Sequence, residues 1–237
     1  MGNGTKANGL TVTHEMPKLE LDVSAYQVNP QETAYRTEVK ETSEFTDKDW
    51  KQVIPLSASV FKPKKGLHTF VRDFYFNDDR KHILSYDGRD VKAIHSFYPF
   101  DVDGYKILNF AFAVVDKEYR NNGMCKKSIN LMLDYGRTCN CSIATLRLFS
   151  PEAAEKFSKS GFQTPIVHDV DRELIEVGKV IGDYFRETLD NNLMIDTSKS
   201  QVPTFSFKPV QIPAEDQRLN DVLLGKDNKR IRMVCRL

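Results

Sequence analysis

One stretch of the chain holds residue types that could bind a phosphorylated ligand: Val114-Val115-Asp116-Lys117-Glu118-Tyr119-Arg120-Asn121-Asn122-Gly123-Met124-Cys125. A long apolar run precedes it and a helical pattern follows, so its polar residues fall in a strand-to-helix turn. The first N–H groups of a helix have no helical acceptor. With the helix dipole they form a ready anion site. Gly123 would permit a tight turn and let a phosphate approach the backbone closely. Arg120 would add a planar charge suited to phosphate. A diphosphate-bearing cofactor is the natural ligand for such a turn. The spacing is neither a Walker loop nor a G-x-G-x-x-G fingerprint. On its own, Arg-Asn-Asn-Gly also fits a plain solvated turn.

Other reactive side chains are scattered. Four cysteines (Cys125, Cys139, Cys141, Cys235) form no disulfide framework for 237 residues and read as reduced thiols of a cytosolic protein. Cys139-x-Cys141 lacks the second ligand pair that a structural zinc site needs, and the five histidines supply none, so no metal is expected. His95 has the intrinsic pKa of a base, and a lone histidine in a β segment serves equally as a structural residue. Asp101 and Asp103 lie in a turn and would attract a cationic amine, or simply form the turn.

The elements around these residues follow from the hydrophobic pattern. Thr46 caps a helix bearing Trp50, Val53, Ile54 and Val60, with Pro55 expected to limit or kink it. A basic, breaker-rich cluster follows at 61–66. Two β segments flank Asp87-Gly88, a hairpin signal. After a second turn at Asp103-Gly104, Tyr105 to Val115 reads as a strand buried on both faces. Met124 to Arg137 carries a helical stripe, and Ala144 to Phe149 is a second buried strand. Ser150-Pro151 then opens a helix that stops near Gly161. Strand–helix–strand–helix order is α/β organisation, in which ligands bind where strand passes to helix. Asp171 to Leu189 reads as one amphipathic helix with Leu174, Val177, Ile181, Tyr184, Phe185 and Leu189 on one face. Arg230 to Leu237 reads as a last strand alternating apolar and basic residues.

Composition sets the outer bounds. Hydrophobic residues are 40% and charged residues 28%, ordinary for a globular protein. Lys+Arg is 34 against Asp+Glu 33, a net charge of +1, which argues against a broad nucleic-acid footprint. No apolar run is long enough to cross a bilayer. Residues 1–17 read as a flexible leader without a signal-peptide core, and Lys6 stands where a myristoylation signal wants Ser or Thr.

Arg120-x-x-Gly123-x-Cys125, following a strand that ends in Val, resembles motif A of the GNAT superfamily of acetyl-CoA-dependent N-acetyltransferases. Cys125 replaces a final Gly or Ala. Ser150-x-x-Ala153-x-x-x-Phe157-x-x-x-Gly161-Phe162 is similar to that family's motif B, at the same spacing. The resemblance covers residues 105–162. It implies an α/β (α+β) GNAT fold: a central twisted mixed sheet whose two central strands splay apart, flanked by helices, in one domain over 18–237. It places the pantetheine arm of acetyl-CoA on the backbone of Ala113, Val114 and Val115. The pyrophosphate falls on Arg120 and the N–H groups of Asn121, Asn122, Gly123, Met124, Cys125 and Lys126, with Ser150 and Phe157 on the motif B helix.

The implied reaction is acyl transfer to a primary amine by direct attack. A small-molecule amine, including an arylalkylamine, is favoured by the near-neutral charge and by aromatics at Phe70, Phe74, Tyr75, Phe76, Phe97, Tyr98, Phe100, Phe110 and Phe112. A protein lysine is the other acceptor. The chain departs from the family at two functional positions. Phe157 replaces the usual tyrosine acid, and Asn109, eleven residues before Arg120, replaces the glutamate base of histone-type members. Asn109, holding a water, and His95 are therefore the catalytic candidates. The two losses also suit a regulatory module that binds CoA without efficient turnover. The extended C-terminal insertion, about 169–228, is expected to cover the acceptor site, form a homodimer surface or pack on the sheet.

Overall fold

The computed structural model describes residues 35–61, 80–196, 213–224 and 230–237. The leader, most of the basic 61–66 cluster, Phe70, Phe74, Tyr75 and Phe76 lie outside the described residues, as does the side chain of Val60. Among the described residues seven strands and five helices follow one another: β1 (Arg36–Glu41), α1 (Asp47–Phe61), β2 (Lys81–Asp87), β3 (Asp90–Val102), β4 (Tyr105–Val115), α2 (Met124–Thr138), β5 (Ile143–Leu148), α3 (Pro151–Ser158), α4 (Arg172–Tyr184), β6 (Met194–Ile195), α5 (Gln217–Leu223) and β7 (Arg230–Arg236). They form one mixed sheet of order β1-β2-β3-β4-β5-β7-β6. Only β4 and β5 run parallel.

The turn chemistry acts as the sequence indicates. Gly88 (φ 57°) closes the β2–β3 hairpin, and Asp103 (φ 46°) with Gly104 (φ 81°) closes β3–β4. Two positive φ values in succession match the right-handed twist of the flanking strands. The Ser150 side chain accepts from the Ala153 N–H at the start of α3, with Pro151 in the first turn. α1 begins after Thr46, whose hydroxyl accepts from the Asp49 N–H at 3.3 Å. Pro55 does not end it. The helix continues to Phe61 because Val53 and Leu56 bury against Leu84, Ile94, Phe112 and Val114.

Helices α2, α3 and α5 pack on one face of the sheet, against Ile83, Phe97, Leu108 and Phe110. α1 and α4 cover the other face, α4 through Leu174, Val177 and Ile181 against Ile107, Ile143 and Val234. β4 and β5 are thus buried on both sides, as their near-continuous apolar sequences require.

Two features of the C-terminal region correct the sequence reading. α4 stops at Tyr184 rather than Leu189. Arg186 adopts φ 57°, its N–H donating to the Asp183 carbonyl and that of Glu187 to the Gly182 carbonyl. This is a Schellman ending with arginine in the left-handed position where glycine is usual. Tyr184 is consequently 50% exposed instead of joining the buried stripe. The basic residues of β7 do not all face solvent either: Arg232 is only 2% exposed. β7 lies inside the sheet between β5 and β6, with Ile231 and Met233 packed in the cluster of α2, α3 and α5 and Val234 in that of α4, so both its faces are covered.

Candidate functional site

The site begins with one extra residue. Ser96 pairs with Phe112 and Phe97 with Phe110, which leaves Ala111 as a bulge in β4. A bulge bends its strand and increases the local twist. Beyond it β4 and β5 part: their pairing runs from Ile107–Ile143 to Phe110–Leu146 and ends there, while β5 continues beside β7. The Asp116 N–H still donates to the Lys92 carbonyl of β3 at 2.8 Å. Strand alternation therefore turns the peptide groups of Ala113 and Val115 into the gap that β5 has left.

A cavity of about 900 Å³ fills this gap. Its walls include residues 109–115 of β4, residues 146–150 at the end of β5, and the turn from Tyr119 into α2. Within that turn Asn121 (φ 66°) and Gly123 (φ 78°) both take left-handed backbone. The first α2 N–H to reach a carbonyl is that of Lys127, which bonds Gly123 at 3.0 Å. The N–H groups of Met124, Cys125 and Lys126 precede it, without helical acceptors. Arg120 Nε reaches back to the Val115 carbonyl at 3.4 Å, and Lys156 Nζ bonds Asn121 Oδ1 at 2.9 Å, so β4 and α3 brace the turn. Eight cationic side chains line the cavity against two carboxylates, Glu152 and Glu187.

No protein-family model and no curated protein matches the sequence. Solved structures that resemble the fold include a GNAT family acetyltransferase from Elizabethkingia anophelis with acetyl-CoA bound, at 9% identity, covering 86% of this chain and 98% of that one, TM-score 0.44. An IAA acetyltransferase from Bacillus cereus ATCC 14579 is similar at 10% identity, over 86% of this chain and 100% of that one, TM-score 0.45. A ribosomal-protein-alanine N-acetyltransferase from Brucella melitensis biovar Abortus 2308 is similar at 17% identity, over 48% and 80% of the respective chains, TM-score 0.40. The mixed sheet parts at its centre, where β4 leaves β5.

All the residues that the sequence motifs lead one to expect at a cofactor line this cavity except Asn122, which sits on the exposed turn and donates from its side chain to the Tyr35 hydroxyl at 3.4 Å. Ser150 has its hydroxyl committed to the helix cap. Phe157 is buried edge-on against Phe110 and Phe162, with ring centroids 5.9 and 5.4 Å away, and has no proton to give. Cys125 is half-buried in apolar surroundings that push its thiol up to about 11, so it stays protonated and unreactive near neutrality.

The two catalytic candidates lie on opposite sides of the sheet. His95, opposite Ala113, is fully buried on the α2 side, and neither ring nitrogen has a hydrogen-bond partner. Desolvation lowers its pKa to about 4, so it is neutral in the cavity wall. Asn109 is 8% exposed, on the α1 and α4 side, at the apex where the strands part. Tyr98 is its cross-strand partner, and the Asn109 amide favours the ionised form of that phenol. Burial raises the Tyr98 pKa, against the pull of Arg80 and Arg232, so the phenol keeps its proton. Asp101 and Asp103 do not line the cavity; they lie at the hairpin end of β3–β4, away from the bulge.

An ionic cluster is what sequence reasoning missed, and Tyr98 was expected only as one of the aromatics. Arg147 of β5 and Arg232 of β7 are cross-strand partners. Glu187, 3% exposed, accepts from Arg147 Nη1 at 2.9 Å and from Arg232 Nε at 3.0 Å. Arg232 Nη1 also donates to Thr145 Oγ1 at 3.2 Å. The available signal was Arg147 within the largely apolar β5 and Arg232 between the apolar residues of β7. Among the described residues no cluster of His, Cys, Asp or Glu could hold a metal ion, and no helix is long and apolar enough to cross a membrane.

Proposed function

We propose that the protein is an acetyl-CoA-dependent N-acetyltransferase acting on a primary amine of a small molecule. The observation that carries this reading is the coincidence of three features in one cavity: parted strands with free peptide groups, a braced turn with unpaired N–H groups, and a surplus of cations. The peptide groups of Ala113 and Val115 suit a pantetheine arm lying as an added strand. The turn from Asn121 to Lys126 suits the pyrophosphate, with Lys126 and Lys156 beside it. The unpartnered His95 ring offers a hydrogen bond to an amide of the arm. With Cys125 held as a thiol, direct attack is favoured over an acetyl-cysteine intermediate.

The gap between β4 and β5 connects the two faces of the sheet, so the thioester lies at its apex near Asn109 and the acceptor enters from the α4 side. A neutral amine attacks the thioester carbonyl. The C–N bond forms, the C–S bond breaks, and the electron pair leaves on sulfur. Tyr98 is placed to give its proton to the thiolate. It regains one from the newly charged nitrogen through water held by Asn109. This phenol stands in for the one that Phe157 does not provide.

Calorimetric titration with acetyl-CoA should give saturable binding that Gly123→Trp abolishes, because the indole would occupy the phosphate's approach to the backbone. Release of free CoA with a panel of amines should fall by about tenfold to a hundredfold in kcat for Tyr98→Phe, with acetyl-CoA affinity kept. Failure of the unmodified protein to bind acetyl-CoA would refute the assignment. A second reading, a CoA-binding module without turnover, is favoured by Asn109 and Phe157 at the usual base and acid positions. Tight binding with no CoA release from any amine would select it.

A further inference from the structure

The acceptor side of the cavity is strongly cationic. Arg80, Arg147, Arg186 and Arg232 line it, and Glu187 is the one carboxylate beside them. A substrate presenting only an ammonium group would meet repulsion there. The arrangement of these charges is costly in itself. Like charges directly opposite on neighbouring strands destabilise a sheet, and Arg147 and Arg232 are such a pair. A buried ion pair recovers its desolvation cost only when its partners are fully satisfied. Glu187 bonds both guanidiniums but neutralises one of their two charges, which leaves a unit of positive charge at the cavity wall. Arg147 is 24% exposed, enough to reach a ligand while still bonded to Glu187. Arg186 is exposed at the mouth and makes no side-chain hydrogen bond or ion pair among the described residues. Its left-handed backbone is an unusual conformation for arginine, maintained where its side chain lines the cavity.

We infer that the acceptor amine carries an oxyanion group, a carboxylate or a phosphate, which Arg147 and Arg186 grip while the buried Arg232–Glu187 pair holds Arg147 in place. This rests on the acetyltransferase reading and narrows its substrate class to amino acids or phosphorylated amines. The guanidinium fork suits either group.

The test uses matched pairs: amino acids against their amides, and O-phosphoethanolamine against ethanolamine. The charged member of at least one pair should exceed its neutral partner by about tenfold or more in kcat/KM, the scale of a charge-assisted hydrogen bond. Which pair responds tells carboxylate from phosphate. Arg147→Gln and Arg186→Gln should each shrink that preference, with acetyl-CoA affinity kept. Thermal shift in the presence of CoA supplies a readout free of turnover: the N-acetylated charged compounds should stabilise the protein and their neutral counterparts should not. Equal or better use of the neutral amines would overturn the inference and leave the acetyltransferase reading intact. Absence of turnover together with selective binding of the charged compounds would do the reverse. No selective binding by either readout overturns the inference whatever the activity.

Discussion

Burial pushes the Cys125 thiol up to about 11 and the His95 imidazole down to about 4, so both are uncharged near neutrality. His82, bonded to Ser96 and Thr42, is lowered further, to about 3. These imidazoles link stability to pH. In the unfolded chain these two imidazoles bind protons near pH 6.5, whereas in the folded chain they do not until about pH 4 and below. Their contribution is therefore complete above pH 6.5 and is lost as pH falls through about 4. Urea unfolding should show the midpoint dropping between pH 7 and pH 5. His95→Gln, which cannot take up the proton, should reduce that slope by roughly one proton per molecule. An unchanged slope would mean that His95 is not buried neutral. An imidazole lowered to about 4 would give no rate inflection near 6.5, and in the proposed mechanism the proton passes through Tyr98.

Single backbone decisions at element ends govern the site. Ala111 adds one residue to β4, and the strand leaves β5 immediately beyond Phe110. Arg186 ends α4 in a left-handed conformation and thereby turns Glu187 inward to meet Arg147 and Arg232. Left-handed backbone costs a side-chain-bearing residue about 1–2 kcal/mol, a cost that glycine avoids. Arg186→Gly should therefore raise stability by up to about 1 kcal/mol, a shift of roughly 2–4 °C in Tm for a chain of this size. The same variant should weaken discrimination in favour of an anionic acceptor. A scanning melt together with the matched-amine assay checks both. A lowered Tm would show that the arginine side chain contributes more to the fold than its backbone costs. The sequence announced this helix end weakly, because arginine is a helix former and the apolar spacing continues through Phe185 and Leu189. The latter packs from the ribbon that follows, where Gly182 leaves room for its side chain.

Across the whole molecule charge nearly cancels, with a formal net of +1, yet the cavity gathers eight cations against two carboxylates. Such focusing raises the association rate of an anionic ligand and is screened by salt. The association rate of acetyl-CoA should fall severalfold between 50 mM and 300 mM NaCl as read by stopped-flow; a flat response would mean the cations are neutralised before binding. Counting charges along the chain conceals this, because Arg147, Arg186 and Arg232 come from separate elements. What the sequence determined by itself was local. Asp87-Gly88 and Asp103-Gly104 form the hairpins, Ser150-Pro151 starts a helix, Arg120 to Gly123 makes the turn, and Tyr105 to Val115 is a strand too apolar to face water. Each is a consequence of backbone preference or hydrophobic period acting over a few residues. The tertiary structure alone decided that β7 lies between β5 and β6, which sets Arg232 opposite Arg147, and that Phe185 and Glu187 cover Arg232. The pairing of Tyr98 with Asn109 follows from the two-residue turn at Asp103-Gly104, whereas the bulge at Ala111, which no local pattern marks, shifts the pairs beyond it and opens the gap beside β5. Burial, register and net charge at a surface arise from contacts between distant segments, and those contacts are absent from any short stretch of the chain.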